Sequence, residues 1–246
     1  MSDITQHCEN GVLQLSLNRP QKKNALSQQM YRQLTAALQQ AEHDAAVKVV
    51  LLQGSSDCFS AGNDLQDFLG AGELNSQHPT VQFLYQLAQF SKPLVAAVAG
   101  LAIGIGTTAL LHCDLVYAAD NARFQLPFTQ LGLCPEAGSS VLLPNVMGYQ
   151  RAAQYLLLGE AFGAAEALQL GLVNQIVSAP ELLALAQQKA LKLASLPPDA
   201  VQSSKALLKR QHKTLTLETI AAELVQFQRL LNSPECQTRI AAFFQR

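Results

Sequence analysis

Glu136 lies in Pro135-Glu136-Ala137-Gly138, a carboxyl held between residues that bend the chain. An acid in such a segment is most often a solvated loop residue. Its lead-in, Leu131-Gly132-Leu133-Cys134, is apolar and argues for a segment that is not freely exposed. A desolvated carboxyl has a raised pKa and becomes a better base near neutrality. Two glycine turns offer the complementary chemistry. Gly104-Ile105-Gly106-Thr107-Thr108-Ala109 follows an apolar strand and opens a helix. Small residues at a helix start let backbone N–H groups approach a ligand oxygen, and the helix dipole favours negative charge there. That is how an oxyanion hole is built. The same glycines also suit close helix–strand packing. The string formally fits the dinucleotide fingerprint G-x-G-x-x-A, but it lies mid-chain without a clearly placed acid on a following strand end. The second turn, Ser60-Ala61-Gly62-Asn63-Asp64-Leu65, has free donors too, although an ordinary strand-to-helix turn reads the same way. Two such turns facing one another could hold one carbonyl oxygen between them.

The elements that must position these groups follow from periodicity. Val12–Leu17 alternates as a half-buried strand, and 47–52 is an apolar run short enough for a buried one. Between them, Ser27 can cap a helix whose inward face carries Met30, Leu34, Ala37, Leu38 and Ala41. Residues 68–79 are rich in Gly, Asn, Ser and Pro and are expected to form a loop. A helix over 80–90 leads to a strand over 94–99, and the glycine turn then opens an apolar helix to His112. Another strand is expected over 114–119, and 126–140 is expected to be irregular. Helices over 151–158 and 164–170 stop at Gly159 and Gly171. A short strand over 173–177 precedes an all-helical stretch. There Leu217, Ile220, Leu224, Phe227 and Leu231 form one stripe, and Ser233-Pro234 starts a final helix. The order describes an α/β layered core over residues 1–180 and a helical C-terminal extension over 181–246, used for packing and oligomerisation, within a single domain.

Composition narrows the class. The chain has 246 residues, 49% hydrophobic and only 14% charged, against a usual charged share of about 25%. The low charge hints at a homo-oligomer with buried interfaces. A net charge of -1 provides no field to gather nucleic acid. No apolar run approaches the roughly 20 residues of a membrane span. The start, MSDITQHCEN, lacks the zones of a secretion signal, and five cysteines without a C-x-x-C pair suit a reducing cytoplasm. The five histidines are scattered, so no metal site is expected.

Four ordered segments resemble the crotonase, or enoyl-CoA hydratase/isomerase, superfamily: NRPQKKNAL (Asn18 to Leu26), FSAGNDL (Phe59 to Leu65), GLAIGIGTTALLHCDLVYA (Gly100 to Ala118) and AAEALQLGLV (Ala164 to Val173). The resemblance implies a spiral of ββα units and a trimer or dimer of trimers. It also implies an acyl-CoA thioester whose oxygen is held by the backbone N–H groups of Asn63 and Ile105. No cofactor is implied beyond the coenzyme A of the substrate. Lys22 and Lys23, which alone read as a solvated turn, match the family's basic segment near the CoA phosphates. Ala25, Ser60, Ala61, Gly62, Asp64, Leu65 and Gly104 fall in the matching CoA- and substrate-binding segments.

Hydratases of this superfamily use two glutamates. At the matching positions this chain has Thr108 and Phe128, neither of which can act as a carboxylate base. Residues 131–140 instead resemble the segment in which peroxisomal-type Δ3,Δ2-enoyl-CoA isomerases place their catalytic glutamate, here Glu136. The resemblance therefore implies a one-base 1,3-proton shift of fatty acid metabolism. Hydration, other acyl-CoA chemistry of the superfamily and a non-catalytic CoA-binding scaffold are the alternatives, because one fold hosts many reactions.

Overall fold

The computed structural model of the chain describes residues 2–69 and 72–244. With strands numbered along the chain, the larger sheet runs in the order β1 (Ile4–Glu9), β2 (Val12–Leu17), β3 (Val49–Gln53), β5 (Leu94–Val98), β7 (Leu115–Ala119), β10 (Gln175–Val177). The smaller sheet holds β4 (Cys58–Ser60), β6 (Leu101–Ile103), β8 (Arg123–Gln125) and β9 (Ala161–Gly163) in that order. β1 and β2 form an antiparallel hairpin, and β2, β3, β5, β7 and β10 pair in parallel. In the smaller sheet β4, β6 and β8 are parallel, with β9 antiparallel at the edge. The chain steps from the large sheet to the small one at β3–β4, β5–β6 and β7–β8, returning through helical segments. This is the expected spiral of ββα units.

Strands in the middle of the larger sheet are covered on both faces, which explains their unbroken apolar sequence. Val49 and Leu51 join Val95, Ala97, Tyr117 and Ala119 on one face, against Leu182, Ala186, Ala190 and Ala194 of α8 (Ala179–Ala194). These four α8 residues recur every four positions, one face of a helix. Val50, Leu52, Ala96, Val98 and Ala118 turn to the opposite face. There they meet α1 (Gln28–His43) and α3 (Pro79–Gln89), through Met30, Leu34, Leu38, Phe83, Leu84 and Leu87 among others. Ser27 caps α1 as expected, accepting a hydrogen bond from the Met30 N–H.

The remaining helices are α2 (Leu65–Leu69), α4 (Ile105–Thr108, continued by a 3-10 turn over Ala109–His112), α5 (Ser139–Met147) and α6 (Tyr149–Ala153, continued by a π turn to Leu158). They are followed by α7 (Ala164–Gln169), α9 (Pro198–Arg210), α10 (Lys213–Leu231) and α11 (Pro234–Phe243). α10 packs on α3 and α5. Of its expected stripe, Ile220, Phe227 and Leu231 are buried and Leu217 and Leu224 half-buried. Among the described residues no helix is long and apolar enough to cross a membrane.

The structure corrects several sequence expectations. The 68–79 loop is shorter, because α2 reaches Leu69 and α3 begins at Pro79; residues 70 and 71 lie outside the described ones. Leu101–Ile103 is a strand, so the helix after it begins only at Ile105. The irregular stretch contains a 3-10 turn at Thr129–Leu131 and the start of α5. The small sheet was not anticipated strand by strand, since each of its strands spans three residues. Runs that short carry no readable alternation.

Candidate active site

The two donor turns leave neighbouring parallel strands. β4 pairs β6 with Ser60 opposite Ala102, so the segments that follow emerge side by side at the carboxyl ends of the strands. Ligands of parallel sheets bind at that end. The approach is close: a Cβ on Gly106 would lie 2.8 Å from the Ser60 carbonyl oxygen. Gly104 has φ +55°, which lets the chain reverse direction from β6 into α4. Ile105 is then the first residue of α4, whose N–H has no acceptor within the helix. On the facing turn, the Leu26 N–H donates to the Gly62 carbonyl and the Asp64 N–H donates to the Leu26 carbonyl, both on one side of the chain. The Asn63 N–H between them points the other way. Among the described residues, neither the Asn63 N–H nor the Ile105 N–H has a hydrogen-bond acceptor.

The Asn63 turn is held from several sides. Ser60 Oγ donates to the Asn24 carbonyl at 2.9 Å and accepts from the Gly62 N–H at 3.2 Å. The buried Asn24 side chain donates to the Cys58 carbonyl at 3.0 Å, and the Ala61 N–H donates to the Lys23 carbonyl at 2.9 Å. These bonds pin the turn carrying the exposed Lys22 and Lys23 against β4. Arg19 donates to the Ala25 carbonyl and, at 2.7 Å, to Asp64. Burial pushes the Asp64 carboxyl up, but the Arg19 guanidinium and nearby backbone N–H groups outweigh it, leaving Asp64 below the usual carboxylate range. The Asp64 carboxyl, in a segment expected to bind substrate, therefore braces the turn. Leu65 opens α2 and is half-buried. The Tyr31 hydroxyl on α1 donates to Asn63 Oδ1, fixing the side chain of the residue whose N–H faces outward.

Glu136 comes to the same place from a distant part of the chain. It is only 4% exposed, far from a solvated loop acid. Thr108 Oγ1 donates to Glu136 Oε1 at 2.5 Å. Thr108 stands three residues after Ile105, and positions i and i+3 of a helix share a face. One short helix thus presents both a free N–H and the hydroxyl that holds the carboxyl. Burial drives the Glu136 carboxyl up to about 8; the Thr108 hydrogen bond opposes this and the Glu223 carboxylate adds to it. Tyr31 is buried beside the same carboxyl, and burial followed by the Glu136 charge pushes its phenol well above the usual range, so it stays a donor.

The backbone carrying the base is strained. Ala137, fully buried, has φ +60°, a conformation that costs a non-glycine residue roughly 1–2 kcal/mol. His112 Nε2 lies 2.8 Å from the Ala137 carbonyl. Burial lowers His112 to about 4, so the ring is neutral at pH 7 and Nε2 carries the proton it donates. Phe128, where hydratases of the resembled superfamily carry an acid, is buried in the main core with Leu126 and Leu133. Among the described residues no three or more His, Cys, Asp or Glu side chains converge as a metal site.

Two parallel-rich sheets wound in ββα units carry two free backbone donors on neighbouring turns, and the helix that opens at the second turn holds one desolvated carboxyl. The comparisons agree on the family. The family model described as enoyl-CoA hydratase/isomerase matches residues 7–246, and the chain belongs to that family. It is 36% identical over 244 residues to rat (Rattus norvegicus) enoyl-CoA delta isomerase 2, covering 97% of this chain. The chain spans 62% of that relative's length. It is 35% identical to 2,3-dehydroadipyl-CoA hydratase of Escherichia coli K12, covering 100% of this chain and 97% of the relative. A crystal structure of an enoyl-CoA hydratase/isomerase from Pseudoalteromonas atlantica T6c matches with a TM-score of 0.96 at 40% identity, covering 99% of this chain and 97% of that one. The chain accordingly has the crotonase fold.

Sequence reasoning brought Asn63, Ile105 and Glu136 into view but missed Tyr31, Asn24 and Glu223, and it noted Thr108 only as a lost acid. Glu223 left a signal. It stands at i+3 from Ile220 and i−4 from Phe227, inside the apolar stripe of α10, where an acid has no reason to be unless it is paired. Tyr31 adjoins Met30 on the buried face of α1 and is indistinguishable there from a packing residue.

Proposed function

We propose that the protein shifts the double bond of a 3-enoyl-CoA to give a 2-enoyl-CoA, with Glu136 as the only base. The ionised carboxylate removes a proton from C2. The C–H electron pair moves into the C1–C2 bond, and the thioester oxygen becomes the anionic end of a dienolate. The Asn63 and Ile105 N–H groups hold that oxygen, two preorganised donors aimed at the charge that develops. The protonated Glu136 then delivers the proton to C4, and the double bond re-forms between C2 and C3. Neither water nor a second carboxyl enters the balance.

The observation that carries this reading is the Glu136 carboxyl itself, buried and raised to about 8 beside Thr108 where a second acid would be needed for hydration. A base and acid that must take and return one proton works best with a pKa near the working pH. Lys22 and Lys23, exposed on the turn braced against β4, are assigned to the CoA phosphates. Exposed Leu207, Leu208 and Val225 on α9 and α10 support a homo-oligomer, a trimer or dimer of trimers.

The test is conversion of 3-hexenoyl-CoA to the conjugated 2-enoyl product, followed by absorbance. Glu136→Gln should lower kcat by at least about 10³-fold while leaving KM within a few-fold. An unchanged rate would remove Glu136 as the base. Because a hydratase stands among the relatives, crotonyl-CoA hydration is the competing activity to measure on the same preparation. Hydration faster than isomerisation would overturn the assignment.

A further inference from the structure

α10 contributes a buried carboxylate whose hydrogen bonds all run to the turn that carries Glu136. Glu223 is 7% exposed. Its Oε2 accepts from the Gly138 N–H at 2.6 Å. Its Oε1 accepts from the Ser140 N–H at 2.9 Å and from Ser140 Oγ at 2.5 Å. Three donors on two oxygens describe an ionised carboxylate. Burial pushes Glu223 up from its ordinary value, and these three donors oppose it. The bonds straddle the start of α5, with Ser139 as its first residue, and so they satisfy N–H groups that have no partner within the helix. They also hold the left-handed pair Ala137 and Gly138, one and two residues after the base.

Helix capping alone explains an acid at this position. Two further observations point past it. The backbone between Glu136 and the clamp is strained at a buried alanine, a conformation that persists only when its surroundings over-determine it. The second restraint on that alanine, His112, is in turn braced from the C-terminal helices, since Lys209 Nζ of α9 donates to the His112 carbonyl at 3.1 Å. The ionisable groups acting on Glu136 are also few. Tyr31 faces it from α1 and Cys134 lies on its own segment; burial raises Tyr31 well above 10 and Cys134 to about 11, so both are neutral at working pH. Thr108 on α4 is a neutral donor. Glu223 is the charged neighbour.

We propose that Glu223, from the C-terminal helical region, is a positioning residue for Glu136, clamping the strained turn that aims the base and placing a fixed negative charge behind it. This rests on Glu136 being the base. The C-terminal helices then add to the supports that the α/β core supplies through Thr108 and His112, and help set the geometry and proton affinity of the base.

Three variants separate the parts. Glu223→Asp keeps the charge but shortens the reach. It should lower kcat for 3-hexenoyl-CoA by about 10-fold, with KM within about 2-fold and the titration midpoint of Glu136 kept, because a misaimed base loses orientation rather than binding. Glu223→Gln removes the charge and should move that midpoint down by about one pH unit. The midpoint is read without turnover, from the side-chain carboxyl carbon resonance of Glu136 in enzyme labelled at its glutamates, assigned by its loss in Glu136→Gln. A folded Glu223→Asp with wild-type kcat, or a Glu223→Gln with an unmoved midpoint, overturns the proposal. If Glu223→Gln fails to fold, Glu223→Asp decides alone. An active Glu136→Gln would instead sink the base assignment, a result distinct from either.

Discussion

Thr108 and Glu136 are 28 positions apart in the chain and joined by a 2.5 Å hydrogen bond in its interior, hydroxyl to carboxylate. Where hydratases of the superfamily resembled here carry one of two acids, this protein has a donor that serves a carboxyl at a third position, Glu136. The hydroxyl favours the charged form of Glu136 against burial, which raises it.

Removing that donor should therefore raise the carboxyl further. In Thr108→Val the acid limb of the kcat/KM profile is expected to move up by about one pH unit, with a roughly 10-fold loss of rate at pH 7. Thr108→Ser, which keeps the hydroxyl, should restore most of both. Equal profiles for the valine and wild-type enzymes would show that the bond does not tune the base.

In the proposed mechanism Glu136 acts as the base only when ionised. Isomerase kcat/KM is expected to rise with pH and to level off above about 8, where burial has placed the carboxyl. A profile already flat from pH 6 would contradict the raised value. Substrate that expels more water from the site would move the limb of kcat higher than that of kcat/KM.

The same shift has a cost in stability, with a defined sign. The folded carboxyl holds its proton up to about 8, whereas the unfolded chain releases it near 4.5. Between those values the native state binds more protons, so stability falls as pH rises through the window and is recovered below it. Glu136→Gln removes the penalty. By thermal melts it should be more stable than wild type at pH 8.5, on the order of 2 kcal/mol, with the difference fading toward pH 5. A glutamine variant less stable than wild type at pH 8.5 would place the carboxyl in a more polar setting than its 4% exposure describes.

Gly106→Ala tests the spacing of the two donor turns. The added Cβ would meet the Ser60 carbonyl oxygen at 2.8 Å, and backbone must move to relieve it. Displacing the Ile105 N–H should cost about 10²–10³ in kcat, the usual scale for one lost oxyanion donor. Circular dichroism should still report a folded protein. Wild-type kcat in a folded variant would mean that the adjacent N–H is not part of the site.

The fold was legible where elements were long. Met30 to Ala41 announced α1 by their spacing, and the run over 47–52 announced a strand buried on both faces, because period and burial are written directly into residue type. The small sheet escaped, with three-residue strands such as Cys58–Ser60 and Leu101–Ile103 that exist because neighbouring strands pair with them. Register between those strands is a property of the pairing and leaves no trace in either segment alone.

For the site the division is sharper. The amino-acid sequence by itself determined the inventory: a carboxyl at 136, glycines at 62, 104 and 106 that let backbone donors come forward, and no acid at 108 or 128. Only the tertiary structure decided what that inventory means. Parallel pairing of β4 with β6 set the two turns side by side, and α4 carried Thr108 onto Glu136. α10 delivered Glu223 to the far side of the same turn from 87 positions away in the chain, counting from 136 to 223. A carboxyl's proton affinity depends on how much water and charge surround it. Those surroundings are assembled from segments that adjoin only once the chain has folded.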